Sequence, residues 1–194
     1  VDAQGRAALY DSVLASAVAA HEHARRQNPA ALFAAADAIV SSVRAGGKVL
    51  VFGNGGSAAD AQHFSAELVG RLQRERRAIP AVALSTDTSV LTAVANDYAF
   101  DRVFARQIEA LGRAGDVAIG ISTSGASSNV VAGLEIASRA GLTTVAVTGG
   151  DGGALGEMAA IHINVPVADT ARAQEVHRTL LHVLCELVER ELDQ

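Results

Sequence analysis

Lys48-Val49-Leu50-Val51-Phe52-Gly53-Asn54-Gly55-Gly56-Ser57-Ala58-Ala59-Asp60-Ala61 is the stretch on which the fold turns. Lys48 to Phe52 is a short apolar run without helical spacing, the pattern of a strand buried on both faces. Three glycines around Asn54 follow; such residues accept positive φ and let the backbone approach a ligand closely. Ser57 is a helix-opening residue type, and its side chain can cap the helix predicted over about 57–75. Strand, glycine turn and helix in that order make the first half of a parallel crossover unit.

The same alternation continues toward the C-terminus. Ala81 to Leu84, Val117 to Ile121, Thr143 to Val147 and Ile161 to Val165 read as four more buried strands. Helical stretches separate them at about 87–112 (broken near Asn96 to Phe100), 127–140 and 153–159, and a last helix covers about 171–192. This predicts an α/β fold: one five-stranded parallel sheet covered by helices on both faces, in three layers. Toward the N-terminus two Ala-rich helices, about 5–26 and 30–45, lie outside the alternation, parted by Asn28-Pro29 and stopped by Gly46-Gly47. Each has an apolar stripe to bury, on the sheet domain or on a partner chain, and the partner chain is the preferred expectation. The chain therefore reads as a single domain over 1–194, with a helical oligomerisation segment at 1–46 and an α/β core at 47–194.

Composition bounds the function. At 194 residues the chain holds one sizeable core. Hydrophobic residues make up 49% and charged residues 19%, a globular balance, while only 4% are aromatic, so the core is built from aliphatic side chains. A net charge of -5 argues against a nucleic-acid surface. The one basic run, Arg71 to Arg77, reads better as a solvated helix end. The lone cysteine, Cys185, cannot form an intrachain disulfide and sits in an apolar run as an inert core residue. No apolar stretch has membrane-spanning length and no signal-peptide core is present, so a cytoplasmic, soluble protein is expected.

In open parallel sheets ligands sit at the carboxyl ends of the strands. Three such ends are unusual here. Gly53 to Ser57 offers backbone N–H groups at a helix start, a site that attracts anions. Ser122-Thr123-Ser124-Gly125-Ala126-Ser127-Ser128 carries more hydroxyls than capping needs, and reads as a phosphate-monoester loop using neutral donors and a helix dipole. Thr148 to Gly153 is glycine-rich, for turning rather than binding. None is a dinucleotide fingerprint or a P-loop, which removes the support for a dehydrogenase or an ATPase.

Two further features lie on helices. His63 and Glu67, at i and i+4, share a helix face and can bind a metal, act as an acid–base couple or form a plain surface pair. Gln174-Glu175-Val176-His177 and His182 lie on the last helix, where His182 stands among leucines like a core histidine. Gln174 and His182 are separated by roughly 12 Å of helix axis, and spacing alone does not suggest a shared site.

Taken together, these segments resemble one family. Gly53 through Phe64 with Glu67 and Gly70-Arg71, then Ala95-Asn96-Asp97-Tyr98, Ile121 through Gly125, and Gln174 through His177 with His182, are similar in content and order to the signature segments of the phosphoheptose isomerases. The resemblance runs from about residue 6 to the C-terminus. It implies the three-layer sugar isomerase (SIS) fold and a cytoplasmic homotetramer of heptose biosynthesis. In it, N-terminal helices join a central bundle and active sites form between subunits. It also implies conversion of sedoheptulose 7-phosphate into D-glycero-D-manno-heptose 7-phosphate through an enediol.

By position, Glu67 and His182 would be the acid–base pair. Asn54, Gly55, Gly56, Ser57, Glu67, Asn96, Asp97 and Gln174 would contact substrate, and Ser122, Thr123, Ser124 and Ser127 would hold its phosphate. Some members hold zinc with residues matching His63, Glu67, Gln174 and His182, all present here, so one zinc ion per subunit is an implied cofactor. Ala126 departs from an Asn common in relatives, and Ala58-Ala59 from a His-Cys pair; neither carries the proposed chemistry. The alternative is a non-catalytic tetrameric relative that binds the bacterial replication initiator. The carboxylate matching Glu67 is replaced in that relative and present here.

Overall fold

In the computed structural model, which describes residues 1–192, the five apolar runs form one parallel sheet. Its strands are β1 (Val49–Gly53), β2 (Ala81–Ala83), β3 (Val117–Ser122), β4 (Thr143–Gly149) and β5 (Ile161–Val165), in the order β2-β1-β3-β4-β5. The helices are α1 (Ala3–Arg25), α2 (Ala30–Arg44), α3 (Gly56–Val69), α4 (Thr88–Asp97), α5 (Val103–Leu111), α6 (Ser128–Arg139), α7 (Gly153–Met158) and α8 (Thr170–Leu192). The break expected in the 87–112 helix is a 3₁₀ turn, Phe100–Arg102, between α4 and α5.

Alternation along the strands sorts the core into two layers. Val49, Val51, Ile119, Ile121, Val145 and Val147 face α2, α3 and α8, where they meet Ile39, Phe64 and Leu184. Leu50, Phe52, Ala118 and Ala146 face the other way, against Phe104 and Ile108 of α5 and Val130 and Leu134 of α6. Each large aliphatic side chain so buried contributes about 1.5–3 kcal/mol. With few aromatic rings available, the second layer closes by backbone approach. A Cβ at Gly120 would collide with Val130 and Leu134, so α6 rests directly on β3.

The chain runs from β1 outward to β2 at one edge, then returns to β3 on the other side of β1. That reversal opens a crevice between the carboxyl ends of β1 and β3, the place where open α/β sheets bind ligands.

The two leading helices behave differently. α2 buries Leu32, Ala35, Ala36, Ile39, Val40 and Val43 in the first core layer of its own chain and leaves Phe33 exposed. α1 buries only Ala20, which packs beside Val165 and Val176. Leu9, Tyr10, Val13, Leu14 and Val18 stay exposed along it. Arg172 of α8 fastens α1 by donating to the Val13 carbonyl at 2.8 Å.

One helix departs from expectation. α3 stops at Val69, well short of residue 75. Gly70 ends it, and Arg76 folds back to take the carbonyls that the last turn leaves without partners: Glu67 at 2.7 Å, Leu68 at 2.8 Å and Gly70 at 3.2 Å. The Arg71 to Arg77 run is thus a loop laid across α8 and not a helix end; Arg71, Arg74 and Arg77 remain exposed, as a solvated segment would leave them, and only Arg76 turns inward. Among the described residues no helix is long and apolar enough to cross a membrane.

Candidate active site

The β1 loop is shaped by close contacts. Gly55 sits at φ +55, where a side chain would be strained. A Cβ at Gly53 would strike the Ile121 carbonyl and Ser57. Gly55 is the N-cap of α3, and Ser57, already inside the first turn and 3% exposed, makes no capping bond, contrary to expectation. Asn54 crosses the crevice to Asn129 at the start of α6 through two reciprocal amide bonds of 2.8 and 2.9 Å. The two loops are thereby held as one rim.

On the β3 loop the hydroxyls converge. Ser122 Oγ lies 2.9 Å from Ser127 Oγ and 3.3 Å from Ser124 Oγ, and Ser124 Oγ accepts from the Ala126 N–H at 3.3 Å. Ser127 is the N-cap of α6 but leaves the first-turn N–H groups without a side-chain cap. Donor hydroxyls and open N–H groups at the positive end of a three-turn helix suit an anionic oxygen cluster. The Thr148 to Gly153 loop packs against the β3 loop from behind. A Cβ on Gly125 would collide with the Gly152 carbonyl, and Leu155 N–H bonds Gly125 O at 2.9 Å. Buried His177 of α8 holds the Thr148 carbonyl at 2.8 Å from Nε2. Burial pushes its imidazole below the ordinary histidine range, against the raising effects of the Thr148 carbonyl and Asp60. A neutral ring donating from Nε2 is the state this environment favours.

The helical residues meet as well. His63 Nε2 lies 2.7 Å from His182 Nε2 and 3.5 Å from Glu67 Oε1. One ligand atom from each of His63, Glu67 and His182 falls within 4.8 Å of the others. His182 is half-buried, not a core histidine, because α8 turns that face toward α3. Two imidazoles and a carboxylate are a donor set that suits zinc with a position left for substrate. Gln174 brings its carboxamide against Gly56, where a Cβ would push it aside, and lines with His182, Asp60 and Arg178 a cavity of about 510 Å³. The 12 Å along the helix is spanned by that cavity.

Asn96 and Asp97 stand apart. They lie exposed at the end of α4, where Asn96 Nδ2 donates to Asp97 Oδ1 at 2.8 Å, and they do not line the Gln174–His182 cavity of the same chain. Thr123 follows β3, half-buried, beside the hydroxyl cluster.

Residues that the sequence did not single out hold these parts in place. Asp60, 2% exposed, accepts from Arg178 Nε and Nη2 at 3.0 and 2.8 Å. Glu189 is wholly buried and pairs with Arg76. The available signal was a charge at an apolar-stripe position. Asp60 precedes Phe64 and Leu68 at i+4 steps, and Glu189 follows Val188 in the buried run of α8. Asn129 could have been read from its place just beyond the serines.

Comparison with known proteins gives a consistent picture. The family model described as SIS domain matches residues 14–149. A phosphoheptose isomerase from Geobacter sp. (strain M21) is 58% identical over 162 residues, 84% of each chain. The structure of phosphoheptose isomerase GmhA from Neisseria gonorrhoeae superposes with a TM-score of 0.89 at 43% identity, over 97% of this chain and all of that one. A phosphoheptose isomerase from Francisella tularensis gives 0.92 at 38% identity, over 95% and 98%.

Proposed function

The chain belongs to the phosphoheptose isomerases of the SIS domain family, and from that premise we propose that Glu67 and His182 carry its aldose–ketose isomerisation. The reaction interconverts sedoheptulose 7-phosphate and D-glycero-D-manno-heptose 7-phosphate. The observation that carries the residue assignment is the convergence of Glu67 and His182 from separate helices.

Isomerisation moves a proton between C1 and C2 through an enediol. It needs a base reaching both carbons and an acid at the oxygens. Glu67 is the proposed base. His182 delivers a proton to the sugar oxygen or assists ring opening, and its contact with His63 fixes its ring. The phosphate rests on Ser122, Thr123, Ser124 and Ser127, far enough from the reacting carbons to orient the sugar without entering the chemistry. Asn54, Gly55, Gly56, Ser57 and Gln174 line the path between. A zinc ion held by His63, Glu67, Gln174 and His182 would polarise the sugar carbonyl. Glu67's roles as base and ligand compete for one carboxylate.

Self-association belongs to the same proposal. The exposed stripe of α1 supports a homotetramer with its active sites between subunits, and such an assembly would bring Asn96 and Asp97 to a neighbour's cavity. The initiator-binding scaffold gains no support, since relatives more than half identical to this chain over 84% of its length are phosphoheptose isomerases. The direct test is incubation with sedoheptulose 7-phosphate, with and without chelator, followed by NMR. Absence of aldoheptose under both conditions, with zinc restored, would reject the activity.

A further inference from the structure

The catalytic pair proposed above spans two helices, and two ion pairs bracket it. On one side Arg178 of α8 holds Asp60 of α3. On the other, Glu189 of α8 holds Arg76 at 3.1 Å, and Arg76 in turn grips the end of α3 through the carbonyls of Glu67, Leu68 and Gly70. The second bracket is the more deeply buried of the two, with only the Arg76 Nε left without a hydrogen-bond partner among the described residues. Glu189 is wholly buried and the Arg76 side chain is 2% exposed. The Glu189 carboxylate also accepts three successive backbone N–H groups, Leu72 at 2.8 Å, Gln73 at 3.1 Å and Arg74 at 3.3 Å.

We infer that the Arg76–Glu189 pair positions the catalytic residues, setting the axial and rotational register of α3 against α8 so that Glu67 meets His182. This rests on the isomerase reading of those two residues. Arg76 bonds the main-chain carbonyl of Glu67 itself. Glu189 lies seven residues beyond His182, two helical turns on, so both present nearly the same face of α8. Apolar contacts between α3 and α8 are non-directional and tolerate sliding. Hydrogen bonds from a rigid guanidinium fork to fixed carbonyls do not. A buried ion pair is also a poor way to gain stability, since apolar replacements of similar volume often do as well. Its worth here is geometric. Neither residue lines the cavity with Gln174 and His182, so the pair acts through Glu67 and His182 and does not touch substrate.

The test compares wild type with Arg76→Lys, Glu189→Gln and Arg76→Met/Glu189→Leu. The double variant removes both charges and keeps the volume. Lysine keeps the charge but cannot span the carbonyls. Below the thermal midpoint of each protein, kcat is expected to fall roughly 10- to 100-fold while KM stays within about threefold, as for a catalytic group displaced by about 1 Å. The imidazole ¹⁵N shifts of His63 and His182, which report their 2.7 Å contact, are expected to change in the same variants. Retention of kcat within about twofold in folded Arg76→Lys or in the double variant would overturn the inference, as would unchanged ¹⁵N shifts. If wild type itself fails to isomerise the sugar, the isomerase reading falls. The ¹⁵N comparison then still decides whether the pair sets the helix register.

Discussion

His63 Nε2 and His182 Nε2 lie 2.7 Å apart, although 119 residues separate them and they sit on different helices. A bond between two ring nitrogens needs one to donate and the other to accept, so the pair shares a single proton at that point. Glu67 stands beside His63 at 3.5 Å, which gives three groups capable of proton transfer or metal binding in one place.

The sharpest consequence concerns Glu67. Glutamine keeps its volume and hydrogen bonding but removes the basic oxygen. Glu67→Gln is expected to lower kcat by about 10²- to 10⁴-fold, the usual worth of a general base. Substrate affinity by calorimetry should stay within severalfold of wild type. A variant with near-normal kcat would take Glu67 out of the base role.

The β3 loop makes a separate prediction. Ser122 and Ser124 touch through their hydroxyls, and each is proposed to donate to the phosphate. Replacing both with Ala removes two hydrogen bonds to a charged group, each worth about 1.5–3 kcal/mol. Affinity for sedoheptulose 7-phosphate should drop by at least about a hundredfold, with little change for unphosphorylated sedoheptulose. Equal loss for both sugars would place the phosphate elsewhere.

Much of this was readable before any coordinates. The five strands and the flanking helices follow from apolar runs punctuated by glycine, because burial on both faces leaves strands such as Val117–Ser122 no polar alternation to obscure them. The hydroxyl loop and the His63/Glu67 pair are local and therefore legible. The end of α3 was not, because Arg76 reaches its last carbonyls from a loop that helical spacing would have continued through. His182 looked like a core residue for a similar reason. Its leucine neighbours face the sheet, while the facing α3, which makes its own position polar, is more than a hundred residues earlier.

α1 supplies a prediction about assembly. Leu14 and Val18 are 48% and 64% exposed and one turn apart, on a helix that contributes little to the core of its own chain. Leu14→Glu/Val18→Glu should leave the far-UV spectrum and the fold of one chain intact while lowering the mass measured by light scattering below that of the proposed tetramer. An unchanged mass would mean that this stripe is not a contact between subunits.

The last prediction concerns acid stability and follows from Glu189. Burial alone would raise its carboxyl pKa. The N–H groups of Leu72, Gln73 and Arg74 and the Arg76 charge outweigh that and hold it below the ordinary carboxylate value. In the unfolded chain the group titrates near about 4.3. The stabilising contribution is therefore fully present above that pH and is lost as pH falls through the lower folded value, because the unfolded state takes up the proton first. Glu189→Gln cannot titrate and should flatten this part of the acid limb. At neutral pH it should also be less stable, by up to about 3–5 kcal/mol, since Arg76 would be left buried without its counter-charge. Denaturant unfolding of both proteins between pH 3 and 7 separates the two effects, and parallel pH profiles would show that folding does not lower the Glu189 carboxyl pKa.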